Sequence, residues 1–302
     1  MALKKRINNL IHKLSASRNK EYSDFKKNCY YPAGHYYSPI VSVDDIKARE
    51  SEIWDKGGTD GINGIDLQTE DQIELVASFK RYYAGIPFSD KKKAGTRYYF
   101  DNDFYSYTDG IMLYSMMRHF NPKRIIEIGS GFSSALMLDT NELFFNGEIK
   151  LTFIEPYPER LFSLLNDKDK KAATIIQSNV QTTPLENFSA LEAGDILFVD
   201  SSHVVKTGSD VNYILFEILP ILQRGVLIHF HDVFYPFEYP KAWVLMGRNW
   251  NEDYFLRAFL TNNDQFRIKL FSQYLHIHHK DVFKDMPLTY KNPGGNLWLA
   301  KR

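Results

Sequence analysis

From Asp109 onward, short apolar runs alternate with amphipathic segments, and this alternation limits the fold more than any other feature of the sequence. The runs RIIEIG, KLTFIE, ATIIQ, DILFVD and GVLIHFHD have the composition of strands, and the segments between them have helical periodicity. Strands that alternate with helices indicate βαβ units, a parallel sheet and helices on both faces of that sheet. We therefore predict a doubly wound α/β domain over residues 101–302.

Two later strand patterns, QFRIKLFS and NLWLAKR, follow these five runs, and a Gly-Gly turn precedes the second. They predict that the mostly parallel sheet gains an antiparallel strand from the C-terminal end of the chain. Residues 1–100 are irregular by comparison. They contain the amphipathic basic segment MALKKRINNLIHKL, a loop rich in Tyr, and a predicted helix in QTEDQIELVASFKRYYAG. We expect residues 1–100 to form an N-terminal helical and loop extension, or cap.

Composition excludes several classes of partner. Among 302 residues, Lys plus Arg and Asp plus Glu each total 37, so the formal net charge is zero and no overall field favours nucleic acid. No apolar run is long enough to span a bilayer, and no signal peptide is recognisable, which argues against membrane insertion. A single cysteine, Cys29, suits a reducing compartment. We expect a cytoplasmic protein, and an oligomer is compatible with the sequence.

Polar residues recur where the successive strands end. In doubly wound sheets, ligands bind at the carboxyl ends of the strands. Glycines in the first of these turns allow close approach of a ligand to the backbone. The candidates are Glu127, Gly129, Ser130, Gly131 and Ser133 at the first strand, Glu155 at the second, Ser178 and Asn179 at the third, Asp200 and His203 at the fourth, and His231 and Asp232 at the fifth.

The acid in front of the glycine turn narrows the choice of ligand. A Gly-x-Gly turn also opens nicotinamide and flavin sites, so the turn alone does not identify its ligand. Glu127 would repel a dinucleotide pyrophosphate, whereas it would suit the amino group of S-adenosylmethionine. Glu155, at the end of the second strand, is placed to accept hydrogen bonds from a ribose diol. Glu127 therefore favours S-adenosylmethionine over a dinucleotide.

Four segments, EIGSGFSS, FIEPYPERL, DILFVDSSH and GVLIHFHDVFYPFEYP, resemble successive motifs of the S-adenosylmethionine-dependent methyltransferases with the Rossmann-like, seven-stranded fold. The likeness is closest to the bacterial branch grouped as methyltransferase family 24. It covers roughly residues 100–302, and GHYYSPI and RYYFDNDFYSYTD are also similar to that branch. The resemblance implies a Rossmann-like fold and S-adenosylmethionine as cofactor.

The resemblance also implies a role for individual residues. The implied contacts are Glu127, Gly129 and Gly131 with the methionine portion, Glu155 with the ribose, Ser178 and Asn179 with the adenine edge, and Asp200 beside the sulfonium. Ser130 and Ser133 belong to the same glycine turn, and Ser133 departs from the third glycine that is frequent in the family. Tyr107, in an aromatic stretch before the first core helix, is a further candidate because it could stack on a sugar or on adenine.

Methyl transfer to an alcohol needs help with the acceptor, because a free hydroxyl is a poor nucleophile at neutral pH. We predict His203, His231 and Asp232 as the catalytic group. Relatives that resemble catechol and macrolide-sugar O-methyltransferases bind a divalent ion through one acid after strand four and two ligands after strand five, where this chain has Asp200, His231 and Asp232. An imidazole at one position shifts the preference from Mg²⁺ toward Mn²⁺, Fe²⁺ or Zn²⁺, or abolishes the site.

The first functional hypothesis is therefore an O-directed methyltransferase acting on a small or saccharide-like acceptor. An NAD-dependent oxidoreductase or epimerase, and a non-catalytic nucleotide-binding module, are the alternatives. Glu127 argues against the first alternative, and the titratable strand-end residues argue against the second. Of the remaining histidines, His229 is predicted to be a hydrogen-bonded core residue, and those of LHIHHK are predicted to lie in a solvated strand or loop.

Overall fold

The computed structural model describes residues 28–55 and 60–302. The chain forms two compact units. One contains the described part of residues 1–57 together with residues 241–249, and the other contains residues 58–240 and 250–302. The amphipathic helix predicted within residues 1–14 lies outside the described residues.

The strands are β1 (Arg124–Ile128), β2 (Lys150–Ile154), β3 (Thr174–Ile176), β4 (Ile196–Val199), β5 (Leu227–His231), β6 (Phe266–Phe271) and β7 (Asn296–Lys301). The α-helices are α1 (Val43–Ala48), α2 (Glu50–Trp54), α3 (Thr69–Tyr83), α4 (Tyr107–Phe120), α5 (Phe132–Phe145), α6 (Glu159–Leu164), α7 (Asp169–Ala172), α8 (Glu186–Ser189), α9 (Asp210–Tyr213), α10 (Leu219–Ile221), α11 (Lys241–Leu245), α12 (Glu252–Leu260) and α13 (Ser272–His278). A π-helical stretch, Ile214–Ile218, joins α9 to α10, and 3₁₀ turns occupy Val180–Thr182, Lys280–Phe283 and Pro287–Lys291.

All seven strands form one sheet in the order β3-β2-β1-β4-β5-β7-β6. Strands β1 to β5 are parallel, and β7 runs antiparallel to both β5 and β6. The predicted mostly parallel, doubly wound sheet with an antiparallel C-terminal strand is confirmed. The order reverses between β1 and β4, so the switch point at which doubly wound sheets bind ligands lies at the ends of these two strands.

The central strands are buried on both faces, which explains their nearly continuous apolar sequences. All four residues of β4 and all five of β5 are buried, and α4 packs against α5 on one side of the sheet. The two histidines of β5 are therefore part of the buried strand itself. Its last residue, His231, meets the polar edge of the sheet.

The segment before the sheet is tied to it more closely than an appended extension would be. The Phe271 N–H of β6 donates to the Gln72 side chain of α3 at 2.6 Å. Arg97, whose side chain is 11% exposed, forms ion pairs with Asp139 at 2.6 Å and with Asp169 at 2.5 Å. Residues 60–100 thus lie in the compact unit that contains the sheet, and the predicted division into an extension over residues 1–100 and a domain over residues 101–302 stays a prediction.

The smaller unit is held by polar contacts. The Ser42 hydroxyl caps α1 by accepting from the Asp45 N–H at 3.3 Å, and Lys241 on α11 pairs with Glu50 on α2 at 2.5 Å. Across the described residues of both units, every helix is too short or too polar to cross a membrane.

Candidate active site at the strand ends

Backbone hydrogen bonds extend the sheet one residue beyond the strands and align the predicted site residues. The Asp200 N–H donates to the last carbonyl of β1 at 2.8 Å, and the Gly129 N–H donates to the last carbonyl of β2 at 3.0 Å. The Glu155 N–H donates to the last carbonyl of β3, also at 3.0 Å. Asp200, Gly129 and Glu155 therefore stand side by side at the carboxyl edge, as the sequence predicted.

Gly129 occupies a position that only glycine fits. Its φ is +81°, and a β-carbon built on it would lie 1.8 Å from the Asp200 carbonyl oxygen. A side chain there would both strain the backbone and strike the neighbouring strand end. The close approach holds the turn after β1 against the end of β4.

Glu127 holds this turn in place through hydrogen bonds with two serines. The residue is fully buried, and its Oε1 accepts from the Ser133 hydroxyl at 2.5 Å, while Oε2 accepts from the Ser134 hydroxyl. The Ser134 oxygen in turn accepts from the Gly131 N–H at 3.0 Å. Burial raises the pKa of the Glu127 carboxyl to about 8. The contacts that Glu127, Gly131 and Ser133 are predicted to make with the methionine portion stay predictions.

Glu155 is half-buried and already oriented. Its Oε2 accepts from the Ser130 N–H at 3.0 Å, and its Oε1 accepts from the Tyr157 N–H at 2.8 Å. A carboxylate offers about four acceptor sites, so capacity remains for a ribose diol. Ser130 is buried, and its hydroxyl interacts with the Glu127 carboxyl, whose pKa it lowers against the effect of burial. These features fit a polar ligand at the turn after β1.

The remaining predicted cofactor residues lie at the margins. Ser178 and Asn179 follow β3, where Ser178 is half-buried and Asn179 is exposed. Tyr107 begins α4, its ring stacks on Phe100 with 5.7 Å between centroids, and its hydroxyl accepts from Lys291 Nζ at 3.1 Å. The roles predicted for Ser178, Asn179 and Tyr107 stay predictions.

His203 lies at the centre of a group of carboxylates. Its Nδ1 is 2.8 Å from Glu252 Oε2, and its Nε2 is 3.4 Å from Asp200 Oδ1 and 3.8 Å from Asp232 Oδ2. Burial alone would lower the pKa of this imidazole, but the contacts with Asp200 and Glu252 outweigh burial and raise it well above its usual value. His203 is therefore held as a cation at neutral pH. We call His203, Glu252, Asp200, His231 and Asp232 the histidine cluster.

His231 and Asp232 form the other half of the histidine cluster. The His231 Nε2 lies 3.6 Å from Asp232 Oδ1. Burial would lower the pKa of His231, but the charges of Asp232, Asp200 and Asp109 raise it. Burial also raises the pKa of the Asp232 carboxyl, against the effect of the two histidines. Asp232 keeps 20% of its side chain exposed, compared with 5% for His231, so Asp232 is the more accessible of the two.

Two members of the cluster have strained backbones. His203 has a φ of +59° and Asp232 has a φ of +56°, in the left-handed region that non-glycine residues adopt rarely. Such conformations persist only where the surrounding contacts enforce them, and they occur preferentially at functional sites. Asp232 directly follows β5 and His203 lies four residues after β4, where the chain turns out of the sheet.

Two of the side chains predicted as metal ligands, Asp200 and Asp232, pair with an imidazole in this arrangement. Asp200 Oδ1 lies 3.4 Å and Asp232 Oδ2 lies 3.8 Å from His203 Nε2. Within residues 28–55 and 60–302, no group of three His, Cys, Asp or Glu side chains has the spacing of a metal site.

Sequence reasoning missed several residues that the fold brings to this edge. Glu252 begins α12, 49 positions after the histidine it contacts. Asp109, in the first turn of α4, accepts from the Asn296 side-chain amide at 2.8 Å and from the Gly295 N–H at 3.0 Å. The one sequence signal for the Asp109 contact was the glycine at position 294. A β-carbon at that position would approach Asp109 Oδ1 to 2.6 Å, so the contact requires glycine there.

His229 and the histidines of LHIHHK have structural surroundings that differ from those predicted. His229 is fully buried and stacks on Phe198 at 4.0 Å, but neither of its ring nitrogens has a partner within the described residues, so the predicted hydrogen bonding is wrong. Burial lowers its pKa well below the usual value. The LHIHHK histidines lie in or just after α13, not in a strand or loop. His276 stacks on Phe283 at 4.0 Å, and burial lowers its pKa to about 4.

Comparison with known proteins agrees with this geometry. A family model described as a methyltransferase domain matches residues 126–233, which include the turn after β1 and the His231-Asp232 pair. A protein of Archaeoglobus fulgidus, described as uncharacterized, is 32% identical over 167 residues, which cover 54% of this chain and 74% of that protein.

Two solved structures are similar in chain path at low identity. A methyltransferase of Podospora anserina with bound S-adenosylhomocysteine is 14% identical, with a TM-score of 0.40 over 80% of this chain and 99% of that chain. The O-methyltransferase TomG of Streptomyces achromogenes, in complex with S-adenosylmethionine, is 14% identical, with a TM-score of 0.40 over 85% of this chain and 96% of that chain.

Proposed function

Because the chain belongs to the S-adenosylmethionine-dependent methyltransferases of the family 24 type, we propose that it methylates a hydroxyl group of a small or saccharide-like acceptor. One observation carries this proposal. Asp200 belongs to two features at once, since its carbonyl lies against the Gly129 turn and its carboxylate faces His203 in the histidine cluster. A turn suited to a nucleoside and a cluster suited to proton transfer are thus adjacent.

The residues at the turn after β1 fit the cofactor. Gly131 leaves the backbone open, and Glu155 keeps free acceptor sites for the hydroxyls of a ribose. When bound, S-adenosylmethionine supplies a methyl group on a sulfonium that is already activated for transfer. The chain itself has to position the acceptor and remove a proton.

Asp232 is the best candidate for the proton acceptor. It is a partly exposed carboxylate beside the two histidines, and its raised pKa makes it a stronger base than a surface aspartate. His203, held by Glu252 and Asp200, is better suited to act as a fixed cation that positions the carboxylates. Within the catalytic group predicted from the sequence, this proposal assigns proton removal to Asp232 and the positive charge to His203.

Ligand binding tests the proposed function directly. We expect S-adenosylhomocysteine, but not NAD, to give a calorimetric binding signal with the full chain. Glu155→Ala should weaken S-adenosylhomocysteine binding by about 1–3 kcal/mol, because it removes a partner of buried polar groups. Glu159→Ala, at an exposed acid on α6, serves as the control for loss of charge. Binding of NAD in place of S-adenosylhomocysteine would instead support an oxidoreductase or epimerase.

Turnover distinguishes an enzyme from a nucleotide-binding module. Once an acceptor is known, Asp232→Asn should lower kcat by about 10²–10⁴-fold, which is the usual contribution of a general base. The affinity for the cofactor should stay nearly unchanged. The same assay run with and without a chelator tests the metal hypothesis separately. Near-normal turnover by Asp232→Asn would remove Asp232 from the chemistry.

A further inference from the structure

Three buried polar atoms near the histidine cluster have no hydrogen-bond partner among the described residues. They are the Tyr105 hydroxyl, Nδ1 of His231 and Oδ1 of Asn296. The three residues are only 2%, 4% and 0% exposed. Native proteins satisfy about nine in ten buried polar groups, so three unsatisfied atoms in one place need an explanation.

The sheet brings these atoms to one face. His231 of β5 and Asn296 of β7 are direct partners in an antiparallel pair, so their side chains project to the same side. The Tyr105 ring lies over that side, 4.9 Å from the His231 ring and 5.8 Å from Phe198. The three side chains therefore lie on one side of the sheet, and we call this group the Tyr105 patch.

The Tyr105 patch is held in place by other hydrogen bonds. The Asn296 amide nitrogen donates to Asp109 at 2.8 Å, which leaves its oxygen as the unpartnered atom. The Tyr105 carbonyl accepts from the Tyr98 hydroxyl at 2.7 Å, and its N–H donates to the Asn102 side chain at 2.7 Å. Rigid support is expected of groups that position a ligand, because it reduces the entropy lost on binding.

Strand order indicates which ligand meets this patch. Apart from Tyr107, the predicted cofactor residues follow β1, β2 and β3 and end with Asp200 after β4, whereas two members of the Tyr105 patch, His231 and Asn296, lie on β5 and β7, on the far side of β4. The patch is thus on the acceptor side. It offers an amide oxygen that only accepts, a phenol that donates or accepts, and an imidazole nitrogen, with the carboxylates of Asp109 and Asp232 close by.

We propose that the Tyr105 hydroxyl, with Nδ1 of His231 and Oδ1 of Asn296, positions an uncharged acceptor that carries at least two hydroxyl groups. Hydroxyls satisfy all three atoms, because each can donate to one partner and accept from another. A carboxylate or phosphate on the acceptor would face an acceptor-only oxygen and nearby acids, and would be repelled. This inference rests on the proposed function and adds to it the class of acceptor and a positioning residue.

The test uses four acceptors in two matched pairs, with labelled S-adenosylmethionine as methyl donor. Catechol is paired with dihydroxybenzoate, and methyl glucoside with the methyl glycoside of glucuronate, so that the members of each pair differ at one position by a carboxylate. We expect the neutral member of a pair to be methylated with the higher kcat/KM. Tyr105→Phe should then raise KM for that acceptor about tenfold, the effect of one lost hydrogen bond, with kcat changed less.

Two controls separate positioning from structure. Tyr114→Phe makes the same change at a buried tyrosine of α4 whose hydroxyl meets Arg118, and it should leave KM unchanged. Tyr105→Phe should keep the melting temperature and the S-adenosylhomocysteine affinity of the wild type, because its hydroxyl has no described protein partner.

Several results would overturn the inference. These are a preference for the carboxylate members, an unchanged KM in Tyr105→Phe, a lowered melting temperature in that variant, or methylation of none of the four by a chain that binds S-adenosylhomocysteine. If the wild-type chain does not bind S-adenosylhomocysteine at all, the proposed function fails and this inference fails with it.

Discussion

The turn after β1 and the histidine cluster lie at the same edge of the sheet but are built in opposite ways. In the turn, Glu127, Ser133 and Ser134 satisfy one another within seven positions of sequence. In the histidine cluster, His203 depends on Glu252, 49 positions away, and the neighbouring Asp109 contacts Asn296, 187 positions away. The turn is a local motif, whereas the cluster exists only once the chain has folded.

This difference separates two kinds of site. The turn is defined by backbone geometry, since a glycine with a positive φ sets its shape and a buried acid locks it. The cluster is defined by electrostatics, since buried histidines and carboxylates shift one another's pKa and leave polar atoms without partners. We therefore expect substitutions in the turn to act through shape, and substitutions in the cluster to act through charge and pH.

The largest effect is expected at Gly129. Gly129→Ala should lower the free energy of unfolding by about 3–5 kcal/mol, because it adds backbone strain to a collision with the Asp200 carbonyl. Urea denaturation of the wild type and the variant measures this difference. A loss of unfolding free energy below about 1 kcal/mol, the average for an arbitrary substitution, would show that the turn accommodates a side chain and that its shape does not depend on glycine.

A smaller, pH-dependent effect is expected at Glu252. Glu252→Gln keeps the shape of the side chain but removes the negative charge beside His203 Nδ1, so unfolding free energy should fall by about 1.5–3 kcal/mol near pH 6. The folded-state pKa of His203 is raised, so its ion pairs stabilise the fold fully below an unfolded pKa of about 6.5. That stabilisation is lost as pH rises through the folded pKa. The difference between wild type and variant should therefore be larger at pH 6 than at pH 9.

Asp253 provides a matched control for this charge effect. It is the next residue of α12 and is also buried, but burial raises its pKa well above the usual value, and none of the ion pairs of His203 involves its carboxyl. Asp253→Asn should show little change in its stability difference between pH 6 and pH 9. A pH-independent effect of Glu252→Gln, equal to that of Asp253→Asn, would contradict the picture of His203 as a cation.

The contrast between the turn and the histidine cluster also explains which residues of the site could be predicted from the sequence. The seven strands, their order of appearance and the turn residues Glu127, Gly129 and Glu155 were predictable, because periodicity and short motifs encode them locally. Glu252 and Asn296 were not, because a lone acid at a helix start or a lone amide before a strand is typical of ordinary capping and turns. The metal ligation predicted for Asp200, His231 and Asp232 stays a prediction, and nothing local in the sequence indicates that His203 Nε2 lies 3.4 Å from Asp200 and 3.8 Å from Asp232.

The smallest expected effect, at Gly131, tests whether the turn binds the ligand. Gly131 has an extended backbone that any residue adopts, and a β-carbon there would meet only the flexible side chain of Arg160, at 3.2 Å. Gly131→Ala should therefore change unfolding free energy by no more than about 0.5 kcal/mol, as most tolerated substitutions do. It should weaken S-adenosylhomocysteine binding about tenfold, because the added methyl group occupies space that a ligand needs to approach the backbone.

Gly85→Ala is the control for the loss of a glycine as such, because a β-carbon there would meet only a backbone carbonyl at 3.9 Å and the site is remote from the strand ends. Its binding should match that of the wild type in the same calorimetric titration. If Gly131→Ala also binds like the wild type, the open backbone is not where the ligand lies. If its free energy of unfolding instead falls as far as that of Gly129→Ala, packing closes the turn at both glycines. Gly129 would then not differ from Gly131 in serving the fold rather than the ligand.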